Sequence, residues 1–179
     1  MVKIAIIVGS LREASINKIL VSNLEVLAPD GTEFIQTDIN LPLYNQDLES
    51  NYPEKALALK NTIKSADGVL IVTPEYNRSF SGVIKNAIDW ASRPYSDNAF
   101  SGKPIGIVGA SYGQTGTAQA QLHMRNVMLY LNTKIMGQPE LYIQSSRTFD
   151  EKGIVIEASR EHLQKYIDAL INHINTNKI

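Results

Sequence analysis

Cysteine is absent from the 179 residues. That absence excludes disulfides, thiol chemistry, iron–sulfur ligation and zinc ribbons together. Histidine is scarce, and the three present (His123, His162 and His173) are too scattered to build a histidine metal site, so no metal is expected. A charge excess is lacking as well: 17 Lys and Arg stand against 18 Asp and Glu, for a formal net charge of -1. With no basic surplus to meet a phosphate backbone, no nucleic-acid partner is expected. Long apolar runs are also missing. Ile4 to Val8 is too short for a signal-peptide core, and the longest uncharged stretch, Pro104 to Met124, is rich in Ser, Gly, Thr and Gln. The expectation is a cytoplasmic chain with no membrane insertion. What remains is an ordinary globular composition, 44% hydrophobic and 20% charged. It suits one domain over 1–179, a size at which about 70% of the unfolded surface is buried.

Short apolar runs alternate with helical patterns along the chain. Lys3 to Val8, Gly68 to Thr73 and Pro104 to Ala110 are continuously apolar or nearly so, as strands covered on both faces should be. Glu33 to Asp38 is more polar and reads as an edge strand, and Lys134 to Ile143 as a strand interrupted near Gly137 and Pro139. Between them, helical spacing runs over Ile16 to Leu27, Glu54 to Lys64 (after Pro53), Gly82 to Ala91, Thr117 to Leu131 and Ala158 to Asn175. Five strands alternating with five helices predict an α/β fold, a parallel sheet with helices on both faces. Five strands favour the flavodoxin-like three-layer arrangement in the order 2-1-3-4-5. Leu41 to Tyr52 is the longest irregular stretch before a helix and is expected to fold over one side of the sheet.

In such sheets ligands bind beyond the carboxyl ends of the strands, so the segments after Val8, Thr73 and Ala110 carry the information. Gly9 to Lys18 (GSLREASINK) joins a strand to a helix, where free N–H groups and the helix dipole favour an anion. Ser10, Ser15 and Asn17 add donors and Arg12 a charged fork. The loop is neither a Walker A motif nor a GxGxxG, and suits a terminal phosphate such as that of a mononucleotide. The competing reading is a helix start capped by Ser15, with Arg12 solvated. Pro74 to Gly82 (PEYNRSFSG) is polar and aromatic, able to lay N–H groups and the Asn77 amide along a planar ring, or simply to form a turn. Gly109 to Gly116 (GASYGQTG) has three Gly that let backbone approach a ligand, a weak signal alone. The three together outline a pocket for a phosphorylated planar cofactor, and flavin mononucleotide (FMN) fits it.

The segments VGSLREASINK, TPEYNRSFSGVIKNAIDWASRP and GASYGQTGTAQAQLHMRNVMLYL resemble the NADPH-dependent FMN reductase family, which includes chromate, quinone and azo reductases of flavodoxin-like fold. The resemblance runs from the first strand to about Glu140. It implies that Ser10, Arg12, Ser15 and Asn17, with the adjoining Ile16, hold the FMN phosphate. It further implies that Pro74, Glu75, Tyr76 and Asn77 border the isoalloxazine, and that Ser111, Tyr112 and Gly113 line the opposite side. Arg78 and Phe80, where members vary, become candidates for contacting nicotinamide or acceptor. The implied activity is NAD(P)H oxidation by ping-pong hydride transfer through flavin N5 to a quinone, azo compound, chromate or free flavin. No side chain is then required as the catalytic acid, base or nucleophile, because the cofactor carries the chemistry.

A flavodoxin-type electron carrier is the alternative, mildly disfavoured by the balanced charge. A phospho-acceptor signalling domain is set aside, because Gly9-Ser10 and Pro74-Glu75 stand where it needs clustered acids. His123 is expected to be structural or interfacial, Lys85 and Asp89 to pair on one helix, and Trp90 to pack in the core or an interface. The helix Thr117 to Leu131 carries Leu122, Met124, Val127, Met128, Leu129, Tyr130 and Leu131, more apolar residues than one face buries in a monomer. A homodimer or homotetramer is expected, in line with the resemblance.

Overall fold

A computed structural model describes residues 1–178; Ile179, the last residue of the expected domain, lies outside the described residues. The buried run Val2–Val8 forms β1, and the helix that follows, α1 (Ile16–Leu27), opens where Ser15 takes an extended conformation. The Ser15 side chain accepts from the Asn17 N–H at 3.3 Å, which satisfies one of the donors a helix start leaves free. Next come β2 (Thr32–Gln36), α2 (Glu54–Ser65, opening directly after Pro53), β3 (Gly68–Val72), α3 (Gly82–Ala91), β4 (Pro104–Ser111) and α4 (Ala118–Tyr130). The chain closes with β5 (Lys134–Ile135), β6 (Tyr142–Gln144), the short α5 (Ser145–Thr148) and the long α6 (Glu157–Asn177).

All strand pairings are parallel, in the order β2-β1-β3-β4-β5. This is the predicted flavodoxin-like order, with one correction. The expected fifth strand, Lys134 to Ile143, is two pieces: β5 pairs with Pro104 and Ile105, and β6 with Gly109 to Ser111 at the other end of β4. Pro139 has no N–H to donate and Gly137 gives no packing, so the middle leaves the ladder. The tail adds structure that the sequence did not announce, namely α5 and a bridge between Phe149 and Val155.

Strand alternation sorts the core into two layers. Ile4, Ile6 and Val8 face α1 and α6, packing with Leu20, Leu24, Leu163, Tyr166 and Leu170. Ala5 and Ile7 face the other way, with Leu59 and Ile63 of α2, Ile84 and Ile88 of α3, and Met124 and Met128 of α4. Each fully buried Ile or Leu contributes about 1.5–3 kcal/mol, so both sheet faces are firmly covered. Leu41 to Tyr52, expected over one side of the sheet, lies against α3 and is strapped to it. Asn86 Nδ2 donates to the Pro42 carbonyl at 2.9 Å, the Tyr44 N–H donates to Asn86 Oδ1 at 2.8 Å, and Trp90 Nε1 donates to Pro42 at 2.8 Å. Trp90 is fully buried and meets Tyr44 and Tyr52 edge-on, so the core alternative holds for it. Lys85 pairs with Asp89 at 2.7 Å, as their spacing predicts.

Gly109 shows how tightly the centre is built. A Cβ there would run into the Thr73 carbonyl oxygen and the Thr117 hydroxyl. Gly113, by contrast, has only Ser111 Oγ within 4 Å, at 3.9 Å. Gly109→Ala is therefore expected to lower unfolding free energy by about 3 kcal/mol, while Gly113→Ala stays within about 0.5 kcal/mol. Urea denaturation of both variants checks the contrast.

Candidate functional site

The carboxyl ends of β1, β3 and β4 open onto one cavity of about 440 Å³. Its walls bring together Ser10, Arg12, Ser15, Ile16 and Asn17 from the first loop, and Pro74, Glu75, Tyr76 and Arg78 from the second. Ser111, Tyr112 and Gly113 come from the third, joined by Gly116, one of its three glycines, and by Ala110 and Thr115, which sequence reasoning had not singled out. Their signal was membership of the same Gly-rich segment. Asn77 and Phe80 are not among the residues lining this cavity. Phe80 is half-buried and packs against the core layer beneath α2, α3 and α4.

The first loop is rich in free donors. Among the described residues, no backbone N–H from Ser10 through Ile16 donates to a protein acceptor. Consecutive free N–H groups ahead of a helix form an anion-binding concavity, and the positive end of the α1 dipole adds to it. Ser15 accepts a capping bond yet keeps its hydroxyl proton, so the capping and phosphate readings hold together. Asn17 is almost fully buried and bridges to β4: its Nδ2 donates to the Ala110 carbonyl at 3.0 Å, and the Ala110 N–H donates to its Oδ1 at 2.9 Å. Only one of its amide hydrogens remains for a ligand. Asn17 is thus first a tie between the first and third loops.

In the second loop, Tyr76 and Ser79 exchange N–H···O bonds of 2.8 and 3.0 Å around Asn77 and Arg78. These two residues have φ of 52° and 66°. Two central residues at positive φ define a type I′ turn, normally filled by Asn-Gly. Asn tolerates the left-handed region, whereas Arg carries a steric cost there of about 1–2 kcal/mol. The turn places Asn77 and Arg78 at its tip, and of the two Arg78 lines the cavity. Glu75 reaches instead to α4: its Oε2 accepts from the N–H groups of Gln119 at 3.0 Å and Ala120 at 3.2 Å, and its Oε1 lies 3.4 Å from Arg78. His123 Nδ1 sits 3.3 Å from Ser79 Oγ, which fits a structural histidine.

The third loop is closed by the Ser111 hydroxyl, which reaches the carbonyls of Gly113 and Gly116. The Gly-rich reading needs adjustment. Gly109 is demanded by the protein's own packing, and at Gly116 (φ 58°) a Cβ would lie 2.6 Å from the Tyr142 carbonyl carbon. Gly113 alone is open. Tyr76 and Tyr112, both more than half exposed, line the cavity from opposite loops.

The sequence profile described as NADPH-dependent FMN reductase matches residues 2–148. The 2-hydroxy-1,4-benzoquinone reductase of Burkholderia sp is 52% identical over 169 residues, covering 93% of this chain and 92% of that protein. A quinone reductase of Pseudomonas putida is 38% identical over 178 residues, covering 98% and 96%. The solved structure of a flavoenzyme NAD(P)H:(acceptor) oxidoreductase from Paracoccus denitrificans superposes with a TM-score of 0.95 at 42% identity, over 100% of both chains. A flavodoxin from Pseudomonas aeruginosa shares the fold alone, with a TM-score of 0.60 at 21% identity. The chain belongs to the NADPH-dependent FMN reductase family. It is an oxidoreductase whose cofactor is FMN and whose co-substrate is a reduced nicotinamide dinucleotide. The row of free donors at the mouth of α1 fits the phosphate of that cofactor.

The strained turn yields a direct prediction. Arg78→Gly relieves the left-handed conformation and gives up a 3.4 Å ion pair whose arginine is exposed and whose carboxylate keeps the Gln119 and Ala120 N–H groups, so the variant should match or exceed wild-type stability by up to about 1 kcal/mol. Its denaturant midpoint tests this, and a marked drop would contradict the turn assignment.

Proposed function

We propose that the chain is a quinone-type reductase that binds FMN in the cavity at the ends of β1, β3 and β4. The observation that carries this reading is the unbroken run of free backbone N–H groups from Ser10 to Ile16 beside Arg12. Those donors, with the Ser10 and Ser15 hydroxyls and the remaining Asn17 amide hydrogen, hold the phosphate. Pro74, Glu75 and Tyr76 flank one side of the ring system, and Ser111, Tyr112 and Gly113 the other. Bound FMN would supply the hydride chemistry between NAD(P)H and a second substrate, a ping-pong exchange in this reading, with these residues holding and orienting it.

The protein's own task is orientation. Close alignment of donor and acceptor lowers the barrier by as much as about 7–11 kcal/mol. Free N–H groups of the second and third loops are available to oppose charge that builds on the ring during reduction. The exposed tyrosines Tyr76 and Tyr112 offer flat apolar surface to a planar second substrate, which favours quinones over chromate. Arg78, exposed at the lip, is suited to a dinucleotide phosphate.

We further propose that the protein assembles with copies of itself through α4. Of the apolar residues on this helix, Met124, Met128 and Leu131 are consumed by the chain's own core. Leu122, Leu129 and Tyr130 remain 54%, 69% and 75% exposed. A second copy covers them in this reading, and sedimentation velocity should give a dimer or tetramer. Among the described residues no helix is long and apolar enough to cross a membrane.

Anaerobic titration of the FMN-loaded protein tests the function. NAD(P)H alone should bleach the yellow colour, and a benzoquinone should restore it without added enzyme; a protein that stays yellow is a carrier instead. Arg12→Ala should weaken FMN retention about tenfold or more, the scale of a lost charged hydrogen bond. With saturating FMN its turnover should stay near wild type. Unchanged retention would remove Arg12 from the phosphate role.

A further inference from the structure

We propose that Glu75 is a positioning residue that sets the spacing between the second and third loops by capping α4 from across the site. The inference rests on the FMN reading above and deepens it. Helix α4 lacks a cap of its own: Thr117 stands at the N-cap position and its side chain makes no capping bond. Its Oγ1 accepts from Gln121 Nε2 at 3.0 Å instead. The free donors of the first turn, on Gln119 and Ala120, are taken up by Glu75 Oε2, a residue more than forty positions earlier in the chain. The carboxylate stem is buried, with the Glu75 side chain only 9% exposed.

A carboxylate on two N–H groups at the positive end of a helix is a favourable charge-assisted arrangement. Because α4 begins directly after the third loop, this contact fixes one wall of the cavity against the other. The other carboxylate oxygen faces the Arg78 guanidinium, which sits in the costly left-handed position of the turn. Both oxygens of Glu75 are therefore engaged by protein groups. Glu75 shapes the ring site by holding Tyr76 and the turn in place through these contacts. His123, one turn further along α4, approaches Ser79 and supports the same docking of loop on helix.

The test compares Glu75→Ala and Glu75→Gln in the full-length protein. Three readouts are taken: amide hydrogen exchange at Gln119 and Ala120 without FMN, FMN affinity by fluorescence quenching, and the visible circular dichroism of bound FMN. In Glu75→Ala the two amides should exchange faster, FMN should bind about tenfold more weakly, and the dichroism band should change shape. Glu75→Gln keeps an acceptor oxygen of the same reach and should recover most of all three. Should Glu75→Ala fail to fold, Glu75→Asp, whose carboxylate is one methylene short, carries the same comparison. Unchanged exchange at Gln119 and Ala120 would overturn the cap. Faster exchange with FMN affinity and dichroism left at wild-type values would overturn the positioning role while leaving the FMN reading intact. A wild-type protein that does not bind FMN would end the FMN reading and this role together, and the exchange data would still decide the cap.

Discussion

Backbone N–H groups need acceptors, and at the carboxyl end of β1, from Ser10 to Ile16, the described residues provide none. Within the strands and helices, the ladder of the parallel sheet and the helical turns satisfy these donors internally. From Ser10 to Ile16 the chain holds them open, ahead of a helix whose dipole adds positive potential and beside the guanidinium of Arg12. Such a loop is suited to an anion, and on this the proposed phosphate site rests. The two packed layers make the three central strand ends rigid, and Asn17 fastens the first loop to β4 through both ends of its amide.

The other two loops solve a different problem, how to keep irregular backbone in one shape beside an open cavity. One solution is strain held by contacts: Arg78 in a left-handed turn, faced by Glu75, with Glu75 anchored on α4. A second is glycine where packing leaves no room, at Gly109 and Gly116, so that β4 lies close against Thr117 and the third loop against β6. The Ser111 hydroxyl then closes the loop on itself. Rigid strands carry the site, and a few polar side chains lock the loops to them.

Much of this was legible in the residues alone. The apolar runs of β1, β3 and β4 and the helical spacing of α1 and α3 needed only periodicity, because each is covered by core on its buried face. The three loops could be located by position, since the fold sends ligands to the strand ends. What stayed hidden depended on distant partners or on side-chain direction. Asn-Arg does not announce a type I′ turn as Asn-Gly would, so the positive φ of Asn77 and Arg78 could not be read from the residues. The grip of Glu75 on Gln119 joins segments whose proximity only the folded sheet creates. The glycines of the third loop looked like ligand-facing positions, but two of three answer to the protein's own backbone. The fifth strand was seen whole because Gly137 and Pro139 interrupt a pattern without saying how far the break extends.

The central claim is that the first loop grips a phosphate, and comparing two ligands that differ only there tests it most directly. Calorimetric titration of the apoprotein with FMN and with riboflavin, in a phosphate-free buffer, isolates the contribution of that group. The account predicts FMN bound at least about a hundredfold more tightly than riboflavin, since several charge-assisted hydrogen bonds depend on the phosphate. Equal affinities for the two would contradict it.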